Sequence, residues 1–287
     1  MNALRSNVAY VHGFNRLTHY GARGAALENL TVFFGPERTW AYDQFGFNPA
    51  LEGDEQFDAT FQLRGGWALN GHLQRDFVTF EDSTYADFTI GAADGQAYRP
   101  ADDFWGFWGH AQLTTPTWRQ FQAVVKYRRG RAAIFREATT GTGWQLTGGI
   151  DVRPVPTVRM ALTGTIFRLH RLDGTEFARS TIPRLKVEYQ PRRELFFRAI
   201  GEYRSDRRAA LLDPTTGAPL FVGGAAQPMT EFNGLRVDLL ASFEPTPGTV
   251  AFFGYGSSLE TDEDFNWSRL RRMSDGFFVK LAYQVRR

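Results

Sequence analysis

The side chains able to do chemistry are few and dispersed. The five histidines (His12, His19, His72, His110 and His170) form no pair at metal-ligand spacing. There is no cysteine, which removes disulfides, thiolate nucleophiles and thiolate metal ligands together. No G-x-S-x-G is present, and Gly254-Tyr255-Gly256 lacks the third glycine and the strand-to-helix context of a nucleotide loop. The run Asp262-Glu263-Asp264, with Glu260 nearby, could hold Ca²⁺ with loop carbonyls, but such runs are more often solvated loops. Asp102-Asp103 beside Trp105 and Trp108 could form a sugar-stacking patch, and an interfacial aromatic cluster accounts for the same residues more simply. No catalytic residue, metal or cofactor follows from these motifs.

What remains is a set of charges on alternating positions of the later part of the chain: Arg159, Arg184, Lys186, Glu188, Arg198, Glu202, Arg236, Asp238 and Lys280. Opposite charges interleaved on one face of a barrel either fill its interior as a structural ladder or line a pore and set its ion preference. The elements that would position them are strands. In Gly276–Arg287, Phe277, Val279, Leu281, Tyr283 and Val285 alternate with Phe278, Lys280, Ala282, Gln284 and Arg286. A period of two places the first set on one face and the second on the other. About ten residues at about 3.3 Å each, tilted by about 40°, cover about 25 Å, the height of the apolar band of an outer-membrane barrel.

The pattern recurs along the chain. Phe57, Ala59, Phe61, Leu63, Trp67 and Leu69 alternate with Asp58, Thr60, Gln62 and Arg64, and Asn70-Gly71 reads as the hairpin turn that ends this run. Further runs cover Trp118–Tyr127, Trp144–Val152, Arg159–Ile166, Arg184–Tyr189, Leu195–Arg204 and Leu235–Glu244. Leu27–Tyr42 reads as a strand that Gly35-Pro36 bends. Short Pro-containing connections (114–117, 153–156, 190–193, 244–248) alternate with long ones (81–103, 130–141, 170–177, 205–231, 257–275). Outer-membrane barrels have short periplasmic turns and long external loops, whereas a sandwich has no reason to gather its tight turns at one end. Trp40, Trp105, Trp118, Trp144, Tyr127, Tyr189, Tyr203 and Phe243 collect near strand ends, as an aromatic girdle requires.

Composition is consistent with this. Aromatics make up 15% of the 287 residues, mean hydropathy is −0.36 and net charge is +2, with no basic tract for nucleic acid. Barrel strands average out in hydropathy because the two faces alternate. The expectation is an all-β antiparallel transmembrane β-barrel of about 13 strands in a single domain spanning residues 1–287. An odd count leaves the first and last strands unable to pair antiparallel, and the N-terminus has no signal-peptide core. Both point to the C-terminal part of a longer precursor. The alternative is a soluble all-β carbohydrate-binding or hydrolytic domain with an aromatic-lined cleft.

Tyr20-Gly-Ala-Arg-Gly24 with Phe33-Phe-Gly-Pro-Glu-Arg-Thr-Trp40, Pro247–Leu259, and the closing Met273–Tyr283 resemble an uncharacterised family of outer-membrane barrels, a domain of unknown function. Its members carry an N-terminal carbohydrate-binding module of the family-nine type before the barrel. The resemblance implies a place in the cell outer membrane and a saccharide ligand held by a module outside this chain. It also implies insertion into the lipid bilayer by the barrel-assembly machinery. It brings no catalytic residues, and the terminal Arg286-Arg287 departs from the aromatic ending of many such proteins, leaving Tyr283 and Val285 to serve.

Overall fold

The computed structural model describes residues 7–46, 49–100 and 103–283. Arg5, Phe47, Asn48, Asp102 and the terminal Val285-Arg286-Arg287 lie outside them. The chain is all-β, and its helical segments among the described residues are single 3₁₀ turns. The strands are β1 (Val8–His12), β2 (Asn15–Tyr20), β3 (Leu27–Ala41), β4 (Glu52–Leu63), β5 (Trp67–Val78), β6 (Phe88–Ile90), β7 (Gln96–Ala97), β8 (Phe104–Thr114) and β9 (Phe121–Ile134). They continue with β10 (Thr139–Val155), β11 (Val158–Arg171), β12 (Glu176–Arg192), β13 (Leu195–Arg208), β14 (Leu220–Val222), β15 (Ala225–Ala226), β16 (Thr230–Thr246), β17 (Thr249–Thr261) and β18 (Arg271–Tyr283).

Fourteen of these form one antiparallel sheet in the order β1-β3-β4-β5-β8-β9-β10-β11-β12-β13-β16-β17-β18, with β2 also on β3. β1 pairs with Glu37–Ala41 and β2 with Asn29–Phe34, so the two share one position on the same side of β3. The sheet is therefore a meander of thirteen positions. The bend expected in β3 falls on its neighbour instead. β3 pairs with β4 straight through Gly35↔Gln56 and Pro36↔Glu55, while the chain beside it breaks at Gly13-Phe14. A Cβ on Gly35 would lie 1.9 Å from the Gly13 carbonyl oxygen, so that close crossing requires glycine.

Three expected boundaries are corrected. The first hairpin turns at Gly65 and Gly66, both with φ near +87°, whereas Asn70 and Gly71 lie within β5 opposite Thr60 and Ala59. Two left-handed residues in succession suit a tight turn, and Gly-Gly adopts them at no steric cost. The expected loop 130–141 is mostly strand, and the expected loop 170–177 shrinks to a turn at 172–175. β9 and β10 pair out to Ile134↔Thr139, and β11 and β12 pair out to His170↔Glu176. Threonines and small residues extend these hairpins beyond the apolar stretch that marked them in sequence.

Alternate connections still gather at two ends. Residues 64–66, 156–157, 193–194 and 247–248 turn tightly at one end, while 42–51, 79–103, 209–229 and 262–270 lie at the other. At the loop end β6, β7, β14 and β15 form a second small sheet, β15-β14-β6-β7. Here sits the main buried cluster: Phe80, Tyr85, Tyr98, Phe104, Ile134, Ala138, Leu169, Phe177, Leu211 and Leu220. Glu137, fully buried at the β9–β10 tip, ties it together. Its carboxylate accepts from Arg171 Nε at 2.8 Å and Nη2 at 2.6 Å, and from the Leu212 backbone N–H at 2.8 Å. Its carbonyl accepts from the Tyr98 hydroxyl at 2.7 Å. Burial pushes the Tyr98 phenol well above its ordinary range, so it remains a neutral donor.

Removing Glu137 would leave a guanidinium in an apolar setting without its partner. Glu137→Ala is expected to destabilise this cap by about 3–5 kcal/mol. Hydrogen exchange at the Leu212 and Leu220 amides would show it, with the strand ladders elsewhere unaffected.

Candidate functional site

The two faces of the large sheet differ in chemistry and in exposure. On one face Asp58, Asn70, His72, Gln74 and Asp76 lie across β4 and β5, and on the other Phe57, Phe61, Leu69, Leu73 and Phe77. The polar side is the more shielded: His72 is 8% exposed and its neighbour Leu73 is 50% exposed. The same inversion runs along β9, where Lys126 and Arg128 are half-buried and Val125 and Tyr127 are exposed. On β5 and β9 the polar face is thus the more shielded of the two.

Along the apolar face each long strand contributes four or five outward residues. Examples are Phe121, Ala123, Val125 and Tyr127 on β9, Val158, Met160, Leu162, Gly164 and Ile166 on β11, and Phe277, Val279, Leu281 and Tyr283 on β18. Toward the loop end the same rows end in Arg75, Arg129, Arg168 and Arg179. Among the described residues no second sheet covers this band; Leu162, Leu239, Phe253 and Leu281 are all at least 45% exposed. The band greatly exceeds the few hundred Å² that a soluble monomer normally exposes.

Register places all nine expected inward charges on the polar face. Glu188 lies between Arg159 and Arg198, and Glu202 between Arg184 and Arg236. Lys186 reaches Glu188 at 3.1 Å, Arg184 reaches Glu202 at 3.6 Å and Arg236 reaches Asp238 at 3.1 Å, while Arg159 binds Asp151 at 2.7 Å. Lys280 stands apart, opposite Phe252. Arg198 and Lys280 make no ion pair among the described residues.

A second set of polar groups escaped sequence reading. His12, Glu37, Asp54 and Asp76 form one cross-strand row. Asp58, His72, His110 and Arg128 form another. His72 Nδ1 lies 2.9 Å from Asp58 Oδ1, and its ring stacks on His110 at 5.1 Å and against Trp108 at 4.6 Å. Arg128 lies 3.7 Å over Trp108. The polar face is thus acidic across β3–β5 and carries most of its cations from β9 onward. Neighbours in these rows are 14 to 38 positions apart in sequence, so only register unites them. The alternation of Asp58, Thr60 and Gln62 was the available signal, and the misplaced turn obscured its continuation into β5.

Other expected sites are resolved by position. Trp105 and Trp108 point to opposite faces of β8, Trp105 stacking on Phe77 at 4.9 Å, so they make no common sugar patch. The acidic loop residues do not converge: Asp262 pairs with Arg271 at 2.6 Å, Glu263 with Arg269 at 2.7 Å, and Asp264 accepts from the Tyr203 hydroxyl at 3.3 Å. Among the described residues no three metal-ligating side chains gather.

Of the expected girdle, Tyr189 and Phe243 are exposed on the apolar face at the short-turn end, where Trp118 is exposed in the adjoining turn. Trp40, Trp105 and Trp144 lie on that face nearer the loop end. Two positions are corrected. Tyr127 sits mid-strand, because β9 continues seven residues beyond it. Tyr203 is only 2% exposed, covered by Phe265 and Trp267 at ring distances of 4.6 and 5.0 Å from the β17–β18 loop folded over it. Compared with models of known families and with curated proteins, the chain matches none.

If the polar face lines a conducting passage, Arg198→Glu and Lys280→Glu are each expected to shift ion preference toward cations, read as a reversal-potential change in planar bilayers. An unchanged reversal potential in both would assign these charges to a structural ladder.

Proposed function

We propose that this chain forms the strand wall of an outer-membrane β-barrel that anchors, or provides a passage for, an envelope protein associated with saccharide binding or uptake. The observation that supports the membrane reading is the exposed apolar face that runs across the strands of the large sheet, opposite a more shielded polar face. Five alternating positions span about nine residues, or about 30 Å of strand at about 3.3 Å per residue, which a tilt of about 40° reduces to roughly 23 Å. That matches the apolar band of such barrels, and the arginines ending it belong at the headgroup level. The saccharide association rests on the family resemblance alone, as does assembly by the barrel machinery.

Lipid leaves no sheet edge unsatisfied. Among the described residues β1/β2 and β18 are edges. As first and thirteenth positions of an antiparallel meander they run the same way, so one antiparallel strand between them would complete an even barrel.

The test is membrane fractionation of the expressed protein, with gel mobility compared before and after boiling. Outer-membrane location with heat-modifiable mobility is expected; a soluble product of unchanged mobility would sink the reading. Residue-level support comes from Leu162→Arg, expected to cost about 2–4 kcal/mol in lipid-based unfolding, against Thr163→Arg on the opposite face, expected to cost far less. Equal losses would show that the faces are wrongly assigned.

A further inference from the structure

The polar face does not stay polar along its whole length. Toward the loop end the same rows turn apolar at Val78, Phe104, Ala132, Ile134, Phe167 and Leu169, positions in phase with Asp76, Arg128 and Gln145. The cap of β6, β7, β14 and β15 packs on this apolar ring. Loops that only crowned a rim would leave those inward positions facing water, and there polar side chains would serve. Buried apolar groups there mean that the cap sits within the mouth of the curled sheet, against its inner wall.

We propose that the cap is a plug that closes the loop end of the passage, latched by the Glu137–Arg171 ion pair and released when that latch opens. This rests on the barrel reading above. Three separate segments meet at the latch: Arg171 comes from β11 of the wall, Leu212 from the 209–229 connection and Tyr98 from the 79–103 connection. Arg171 also donates to the Ala210 carbonyl at 2.7 Å, drawing the second loop to the wall. The neighbouring Ala138 holds φ at +41°, a left-handed conformation that costs a non-glycine residue energy and persists only where its surroundings impose it. The cap's own strands are only two or three residues long, so little backbone pairing holds it together away from the wall. A small body held together by its own turn and strand hydrogen bonds, and joined to the wall by packing, the ion pair and a few side-chain hydrogen bonds, can leave as a unit when the pair is broken.

The experiment compares single-channel conductance of the intact precursor in planar bilayers with that of Glu137→Gln, which keeps the shape and removes the charge. Conductance is expected to rise roughly threefold or more as the inner aperture is uncovered. The chain has no cysteine. Arg136→Cys with Gln227→Cys, residues whose side chains meet at 3.0 Å, therefore offers a clean pair for a short bis-maleimide. Cross-linking in the Glu137→Gln background is expected to return conductance to the original level. If Glu137→Gln keeps heat-modifiable mobility, conducts as the parent does and ignores the cross-linker, the cap is no plug. Should Glu137→Gln fail to fold, Arg171→Lys keeps the charge and loses the two-pronged contact. The same pair of outcomes then decides, opening reversed by the cross-linker or no change at all. If the parent itself shows no heat-modifiable mobility, the barrel reading has failed and the plug falls with it, a result distinct from a folded barrel indifferent to the latch.

Discussion

Every backbone amide in a membrane needs an internal partner, and period-two alternation must keep one phase across every strand that supplies it. The membrane barrel proposed here depends on that constraint. A slip of one residue anywhere in the ladder would bring Leu162 inward and Arg159 outward. The register keeps phase across thirteen positions, absorbing its irregularities near strand ends, as at Val152/Val155 and Phe243/Thr246. Because phase is kept, residues far apart in sequence meet. His72 stacks on His110, and Glu188 falls between Arg159 and Arg198.

The distribution of burial inverts that of a soluble domain. The main side-chain core is the cap at the loop end, whereas the large sheet presents its aliphatic and aromatic residues outward. The polar face is organised by local pairs rather than by a single centre. An acidic sector on β3–β5 adjoins a region of interleaved charges from β9 to β16, each carboxylate there close to a cation. Such an arrangement gives each of these carboxylates a counter-charge, since an isolated shielded carboxylate would be costly to desolvate. The proposed roles differ in what they need from this interior. An anchor requires only that it be filled, and a passage requires that it stay open below the cap.

The amino-acid sequence by itself determined the all-β class, the strand-rich meander and the face assignment of the nine charges from Arg159 to Lys280. Those follow from alternation, a property of neighbouring residues that needs no tertiary knowledge. Turn chemistry was less legible. Asn70-Gly71 has the composition of a hairpin turn, yet the chain turns at Gly65-Gly66, because register with β4 outweighs local preference. Only the tertiary structure decided that β9 and β10 extend past Gly130 and Gly141, that Tyr203 is roofed by Phe265 and Trp267, and that Asp58, His72, His110 and Arg128 share a row. It alone decided the cap as well, since β6 pairs with β14 across 130 residues and Glu137 meets Arg171 only when two hairpins stand side by side. The physical reason is the same in each case: alternation fixes which way a side chain points, and register between distant strands fixes what it points at.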